Sequence, residues 1–206
     1  MSLGSKKTAP AAAPTAASTP AKSKYDALST TQVTQRGNYL TPGHYLLRIN
    51  SFRKGSGFRA GPMFIAEMTV VHAFADSPAG ANTAGTDVAD VMKESNVAFM
   101  ARLRGFLDAA GNLTQDDWNT EGGDAIVRQA SGEDQPLAGN VVEVRVSTVV
   151  KQTAINKQQK DLVPADTYAR HDYLRAVPAS EIKSVLGENA TKFFPNIDEL
   201  IAAENA

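Results

Sequence analysis

A chain of 206 residues is long enough for one domain with a real core plus tails, and 21 basic against 22 acidic side chains leave a formal charge of −1. That balance argues against a globally basic nucleic-acid binder, and the absence of cysteine excludes disulfides, thiolate metal sites and a thiol nucleophile. No apolar run approaches the roughly 20 residues of a membrane-spanning helix, and the opening MSLGSKKTAPAAAP lacks the continuous apolar core of a secretion signal.

Residues 1–35 are built from Ala, Pro, Thr, Ser and Lys, with almost no large apolar side chain. Such a segment cannot bury enough surface to offset its ordering entropy, so it reads as a disordered basic arm carrying Lys6, Lys7, Lys22 and Lys24. An inert tail is the plainer reading of it, and an anchoring arm the functional one.

The domain proper is expected over residues 36–178. The run HYLLRINSFRK predicts a first strand, GSGFRAGP a glycine-rich turn, and MFIAEMTVVHAF a second strand. In the second, Phe64, Ala66, Met68, Val70, His72 and Phe74 alternate onto one buried face, with Glu67 and Thr69 on the other. A loop, DSPAGANTAG, leads to a weak strand over 85–93. A helix is predicted over 96–110, with Met100, Leu103 and Leu107 as its stripe, widened by Phe99 and Phe106. Ser95 is the expected cap of its start and Gly111 of its end, with Arg102, Arg104 and Asp108 away from the stripe.

Residues 112–136 read as an acidic insertion anchored by Trp118, with a short helix over 124–129. After Gly139, Val142, Val144, Val146, Thr148 and Val150 share one face of a fourth strand, and Glu143, Arg145 and Ser147 the other. A polar loop with Lys151, Lys157 and Lys160 precedes a last strand over 167–177, which Pro178 stops. Short helices over 179–186 and 196–203 make a C-terminal helical segment, 179–206. Val142, Val144, Val146, Phe64, Met68, Val70, Met100 and Leu103 are expected to share one core.

Five strands with one helix between the third and fourth is the layout of the OB-fold, a partly open barrel. That fold binds oligonucleotides on its second and third strands and with the loops joining strands one to two and four to five. Here both loops are rich in Lys and Arg. Arg53, Lys54 and Arg59 with Phe58 offer cations and a stacking ring, Lys151, Lys157 and Lys160 offer charge, and Arg48 and Arg170 extend the groove along the strands. Each loop alone reads as a solvated loop; the two together point to one binding surface.

Other chemistry is absent from the pattern. Gly55, Gly57 and Gly61 have the wrong spacing for a dinucleotide fingerprint, and a strand rather than a helix follows them. His44, His72 and His171 show no metal-ligand spacing. His72 reads as a core residue, and Asp116 and Asp117 as solvated or capping carboxylates. No catalytic residues, metal or cofactor are expected.

The phrases GNYLTPGHYLLRINSFRKGSGFRAGPMFIAEMTVV, GTDVADVMK, FMARLRGFLDAAG and LAGNVVEVRVSTV resemble a group of small phage-encoded OB-fold proteins that bind single-stranded DNA in replication or recombination. The resemblance spans residues 37–177 and lies in layout and texture. It implies non-specific DNA holding by Arg53, Lys54, Phe58, Arg59 and Lys151, with Lys157 and Lys160. It also implies the cytoplasm of an infected bacterial host as the location. The amphipathic C-terminal segment is either packed on the barrel or a docking element for replication or recombination proteins, and a homo-oligomer is compatible with this class. The Ala/Pro/Lys arm leaves a structural or virion-assembly protein as the alternative, and an adaptor of a host nuclease or polymerase as a third reading.

Overall fold

The computed structural model describes residues 38–57, 61–154 and 162–205. Six strands form one sheet: β1 (Asn38–Tyr39), β2 (Gly43–Gly57), β3 (Gly61–Ala73), β4 (Asp87–Lys93), β5 (Val141–Ala154) and β6 (Leu162–Ala176). Their order is β1-β4-β3-β2-β5-β6, with every pairing antiparallel except the two-residue parallel contact of β1 with β4. The protein is therefore mainly β, built on an antiparallel sheet of five long strands. The sheet is open, since among the described residues no ladder joins β6 to β4 or β1. The expected barrel is not closed by backbone hydrogen bonds.

The strands run further than their sequence signals suggest. Gly55–Gly57 belong to β2 and Lys151–Ala154 to β5, while β6 starts at Leu162 rather than Thr167. Both hairpins thus extend as paired ribbons, to Gly57↔Gly61 and to Ala154↔Leu162. Four bulges bend them. The pairs Leu46↔His72 and Leu47↔Val70 leave Val71 as an extra residue, Ile49↔Met68 and Ser51↔Glu67 leave Asn50, Arg175↔Glu143 and Tyr173↔Val144 leave Leu174, and Lys151↔Asp166 and Gln152↔Pro164 leave Ala165. The first corrects the reading of His72. An extra residue inverts the alternation. Val70 stays in the main core, whereas Phe74 packs on the opposite face against His44 and His72, with His44 stacked on it at 4.1 Å.

One core fills the space between the sheet and α1 (Phe99–Gly111). Its centre is aromatic, with Phe52 4.9 Å from Phe106 and 5.5 Å from Phe64. Val142, Val144, Val146, Phe64, Met68, Val70 and Leu103 all belong to it. Met100 does not; it is 72 % exposed. The buried stripe is Phe99, Leu103, Phe106, Leu107 and Ala110, and Met100 lies one position, about 100°, off it. The helix begins three residues later than expected, and Ser95 is not its cap. The end is turned by Asn112 in the left-handed region (φ 50°), with Gly111 still helical.

Residues 112–136 are an integral part of the fold. They hold α2 (Gln115–Glu121), opened by a Thr114/Asp117 capping box, and α3 (Gly123–Ala130), so three helices rather than one separate β4 from β5. Ile126, Ala130 and Leu137 enter the main core. The Trp118 indole donates to Asp108 at 2.5 Å, with the Arg104 guanidinium 5.0 Å from the ring centre. The Gln135 amide continues the sheet where β5 has not yet begun. Its Oε1 accepts from the Phe52 N–H at 2.7 Å and its Nε2 donates to the Phe52 carbonyl at 3.1 Å.

The C-terminal helices, α4 (Ala179–Leu186), α5 (Ala190–Phe193) and α6 (Ile197–Glu204), cover the other face of the sheet. Ile182, Phe194 and Ile197 bury Leu46, Val71 and Val141 in a second core. The Glu204 carboxylate accepts from the Ala179 N–H at 2.6 Å, tying the end of α6 to the start of α4.

Candidate nucleic-acid interface

The nine residues expected to contact DNA fall into different settings. Phe58, Arg59, Lys157 and Lys160 lie outside the described residues. Lys151 is in β5, in register with Asp166, rather than in a loop. Arg48 is committed elsewhere: its guanidinium donates to the Phe193 carbonyl at 2.7 Å and lies 5.8 Å from the Phe194 ring. It is half-buried and ties β2 to the C-terminal helices.

On the β2/β3 ribbon, Arg53 pairs with Glu67 at 3.0 Å, both side chains about half exposed. Ser51 also donates to Glu67, at 2.7 Å. The Ser51 hydroxyl and then the Arg53 guanidinium hold the Glu67 carboxyl below its usual range. Lys54 is exposed with its ammonium 5.9 Å from the Phe64 ring centre.

The β5/β6 ribbon presents a second row. Val146 and His171 point inward, so Arg145, Ser147, Arg170 and Asp172 alternate outward. Arg170 pairs with Asp172 at 2.8 Å, and Arg145 approaches Asp76 at 3.6 Å. Beside Arg170 on the same face stands Tyr168, 53 % exposed. Tyr168 and Arg145 were not among the expected contacts. The signal for Tyr168 was its shared parity with Arg170 and Asp172 in TYARHD, legible once the inward face of β6 is known; Arg145 was read on the outer face of its strand but not as a contact.

The two ribbons leave the sheet at opposite ends of β2. β5 pairs with β2 only between Gly43 and Arg48, then runs on past Gly43, whereas the β2/β3 hairpin turns beyond Gly57. No ladder among the described residues brings the two basic hairpins side by side.

The gap between β4 and β6 is spanned by side chains. Asp90 of β4 is fully buried and accepts from three residues. Arg102 of α1 reaches it through Nε at 3.2 Å and through a closer Nη2 contact, His171 Nδ1 of β6 lies 3.1 Å away, and the Tyr173 hydroxyl donates at 2.5 Å. Arg102 also meets His171. Arg102, expected away from the stripe and not in it, is thus committed to a buried carboxylate, a partnership that the sequence reading did not foresee. Burial pushes the Asp90 carboxyl up, but hydrogen bonds from His171 and Tyr173 with the charges of His171 and Arg102 bring it below its ordinary value. Burial and the Asp90 charge push the Tyr173 phenol well up. No group of three or more His, Cys, Asp or Glu side chains suited to a metal ion occurs among the described residues.

No protein-family model matches this sequence, and no curated protein matches it.

Proposed function

We propose that this chain is an OB-type single-stranded DNA-binding protein of phage character, acting by holding the strand rather than by catalysis. The strand order supports an OB relationship. The first long strand, β2, is central between the second (β3) and the fourth (β5), and β4, flanked only by the two-residue β1, and β6 are the outer long strands that an OB barrel brings together. The Asp90 cluster spans those same two strands. The bulges at Asn50 of β2 and Val71 of β3 bend these two strands.

The observation that carries the function is the outward row Tyr168–Arg170 at the root of the lysine-bearing β5/β6 hairpin. An exposed ring beside a cation suits a base and its phosphate, and stacking tolerates any sequence. The carboxylates that partner Arg53, Arg145 and Arg170 do not forbid this. Exposed ion pairs are worth about 0–1 kcal/mol, so a phosphate exchanges readily for a carboxylate. The same charge balance is what an assembly protein's contact face would carry, which makes assembly the competing reading.

Fluorescence titration of short single-stranded and duplex oligonucleotides at several salt concentrations tests the proposal. Three to six phosphate contacts predict a log–log salt slope between about −2 and −4, at about −0.7 per contact. Duplex should bind more weakly, because its bases are not free to stack. No saturable binding at low salt would defeat DNA binding and favour assembly.

A further inference from the structure

Between the edges of β4 and β6 lies a cleft of about 340 Å³, lined by Tyr39, Asp90, Lys93, Arg102, Ala169 and His171 among others. We infer that this cleft is a subsite for one nucleoside monophosphate unit, with the base against Tyr39 and the phosphate against Lys93. The inference rests on the DNA-binding reading for its biological role, but its chemistry is separate.

Size is the first argument. The volume sits near the lower end of the roughly 300–1,000 Å³ typical of small-ligand sites, so it admits one nucleotide and not two. Charge is the second. Asp90 would repel a phosphate if it were free, but Arg102, His171 and Tyr173 occupy its oxygens, and the Arg102 charge cancels it. Lys93, exposed at the rim, then leaves the cleft net positive. Tyr39 is the third. Its ring is 70 % exposed, a high value for a large aromatic with no burial to explain its place, and an open π-face at the mouth of a cationic cleft suits a base.

The position connects the cleft to the outward row. Ala169 and His171 line it, while Tyr168 and Arg170 alternate onto the outer face of the same four residues of β6. A strand lying along Tyr168 and Arg170 can therefore place one nucleotide around the edge of β6 into the cleft. The unit's source is either such a strand or a free nucleotide, and the two are separable by experiment.

The test titrates thymidine 5′-monophosphate and, separately, thymidine into the full-length protein, following the His171 ring protons by NMR. Labelled oligothymidylate binding is measured in parallel. The monophosphate should shift the His171 signals saturably and thymidine much less. Tyr39→Ala should weaken the monophosphate by about fivefold or more, the low end of one lost stack. Lys93→Gln should weaken it and flatten its salt dependence. Both residues are exposed, so neither change threatens folding. Competition between monophosphate and oligonucleotide would identify the strand as the source, and independent binding a free nucleotide. Oligonucleotide binding without any monophosphate shift would overturn the subsite and leave the DNA-binding reading standing. Monophosphate binding without oligonucleotide binding would do the reverse. Equal affinity in wild type and both variants would also overturn it.

Discussion

The hydroxyl of Tyr173 on β6 donates to the buried carboxylate of Asp90 on β4 at 2.5 Å, although the two strands share no ladder. With Arg102 from α1 and His171 from β6, this makes one carboxylate the meeting point of three elements. Elsewhere the sheet is held by repeated backbone pairs; here β4 and β6 meet only through a few side-chain contacts. A buried charge left without its partner is costly, so the seam is the place where single changes should tell most.

Asp90→Asn removes the charge that Arg102 and His171 face. It should destabilise the protein by about 3–5 kcal/mol, as breaking a buried pair does. Urea unfolding measures the loss. Native-state hydrogen exchange should quicken at β4 and β6 before β2 and β3. A loss below about 1 kcal/mol, typical of exposed pairs, would show that the seam does not hold the edges together.

The seam also sets a pH window. The Asp90 carboxyl lies below its ordinary 3.8 in the fold, so its contribution is present above that value and is lost as pH falls through the lower folded value. The Tyr173 phenol is raised well above its ordinary 10.0, so its contribution is full below pH 10 and is lost as pH rises beyond it. Thermal melts across pH should show both flanks. Tyr173→Phe should flatten the alkaline flank relative to wild type, and an unchanged flank would remove Tyr173 as its origin.

Glu67→Gln frees Arg53 from its carboxylate. Both groups are about half exposed, so stability should change by no more than about 1 kcal/mol. Oligonucleotide affinity at low salt should rise, because a phosphate no longer competes with Glu67. Unchanged affinity would take the β2/β3 ribbon out of the interface.

On the β5/β6 ribbon, Tyr168→Ala and Arg170→Gln should fail differently. Loss of the ring should weaken single-strand binding by about 1–3 kcal/mol with the salt slope intact. Loss of the cation should make the slope shallower by about 0.7. Salt titrations of both variants decide it; a changed slope for Tyr168→Ala would contradict stacking.

Ile197 is 1 % exposed in the second core. Ile197→Ala should cost about 2–5 kcal/mol in chemical unfolding. A neutral result would mean that the C-terminal helices dock only loosely on Leu46 and Val71. Gly43→Ala should also destabilise, since a Cβ there would collide with the ring of Tyr45, which has no exposed surface through which to escape.

Much of the fold was legible in local pattern. The alternation Phe64, Ala66, Met68, Val70 and the valines of β5 marked two inward faces, and the spacing Phe99, Leu103, Phe106, Leu107 marked a helix. Period alone could not tell Met100 from Phe99, because adjacent helix positions both border the stripe, and the aromatic core selected one of them. Nor could it place His72, because a bulge inverts parity without changing composition.

The candidate site was legible as residue types and not as partnerships. By itself the sequence determined where strands and helices form, since those depend on side chains two to four positions apart. It also determined that cations and rings cluster toward the hairpins. Tertiary structure alone decided that Arg48 serves the C-terminal helices, that Glu67 restrains Arg53, and that Tyr168 stands outward beside Arg170. It alone brought Asp90 together with Tyr173, 83 positions away. A carboxylate's role depends on which donors reach it after the chain has desolvated it, and those donors come from elements that meet only when the sheet has curved around α1.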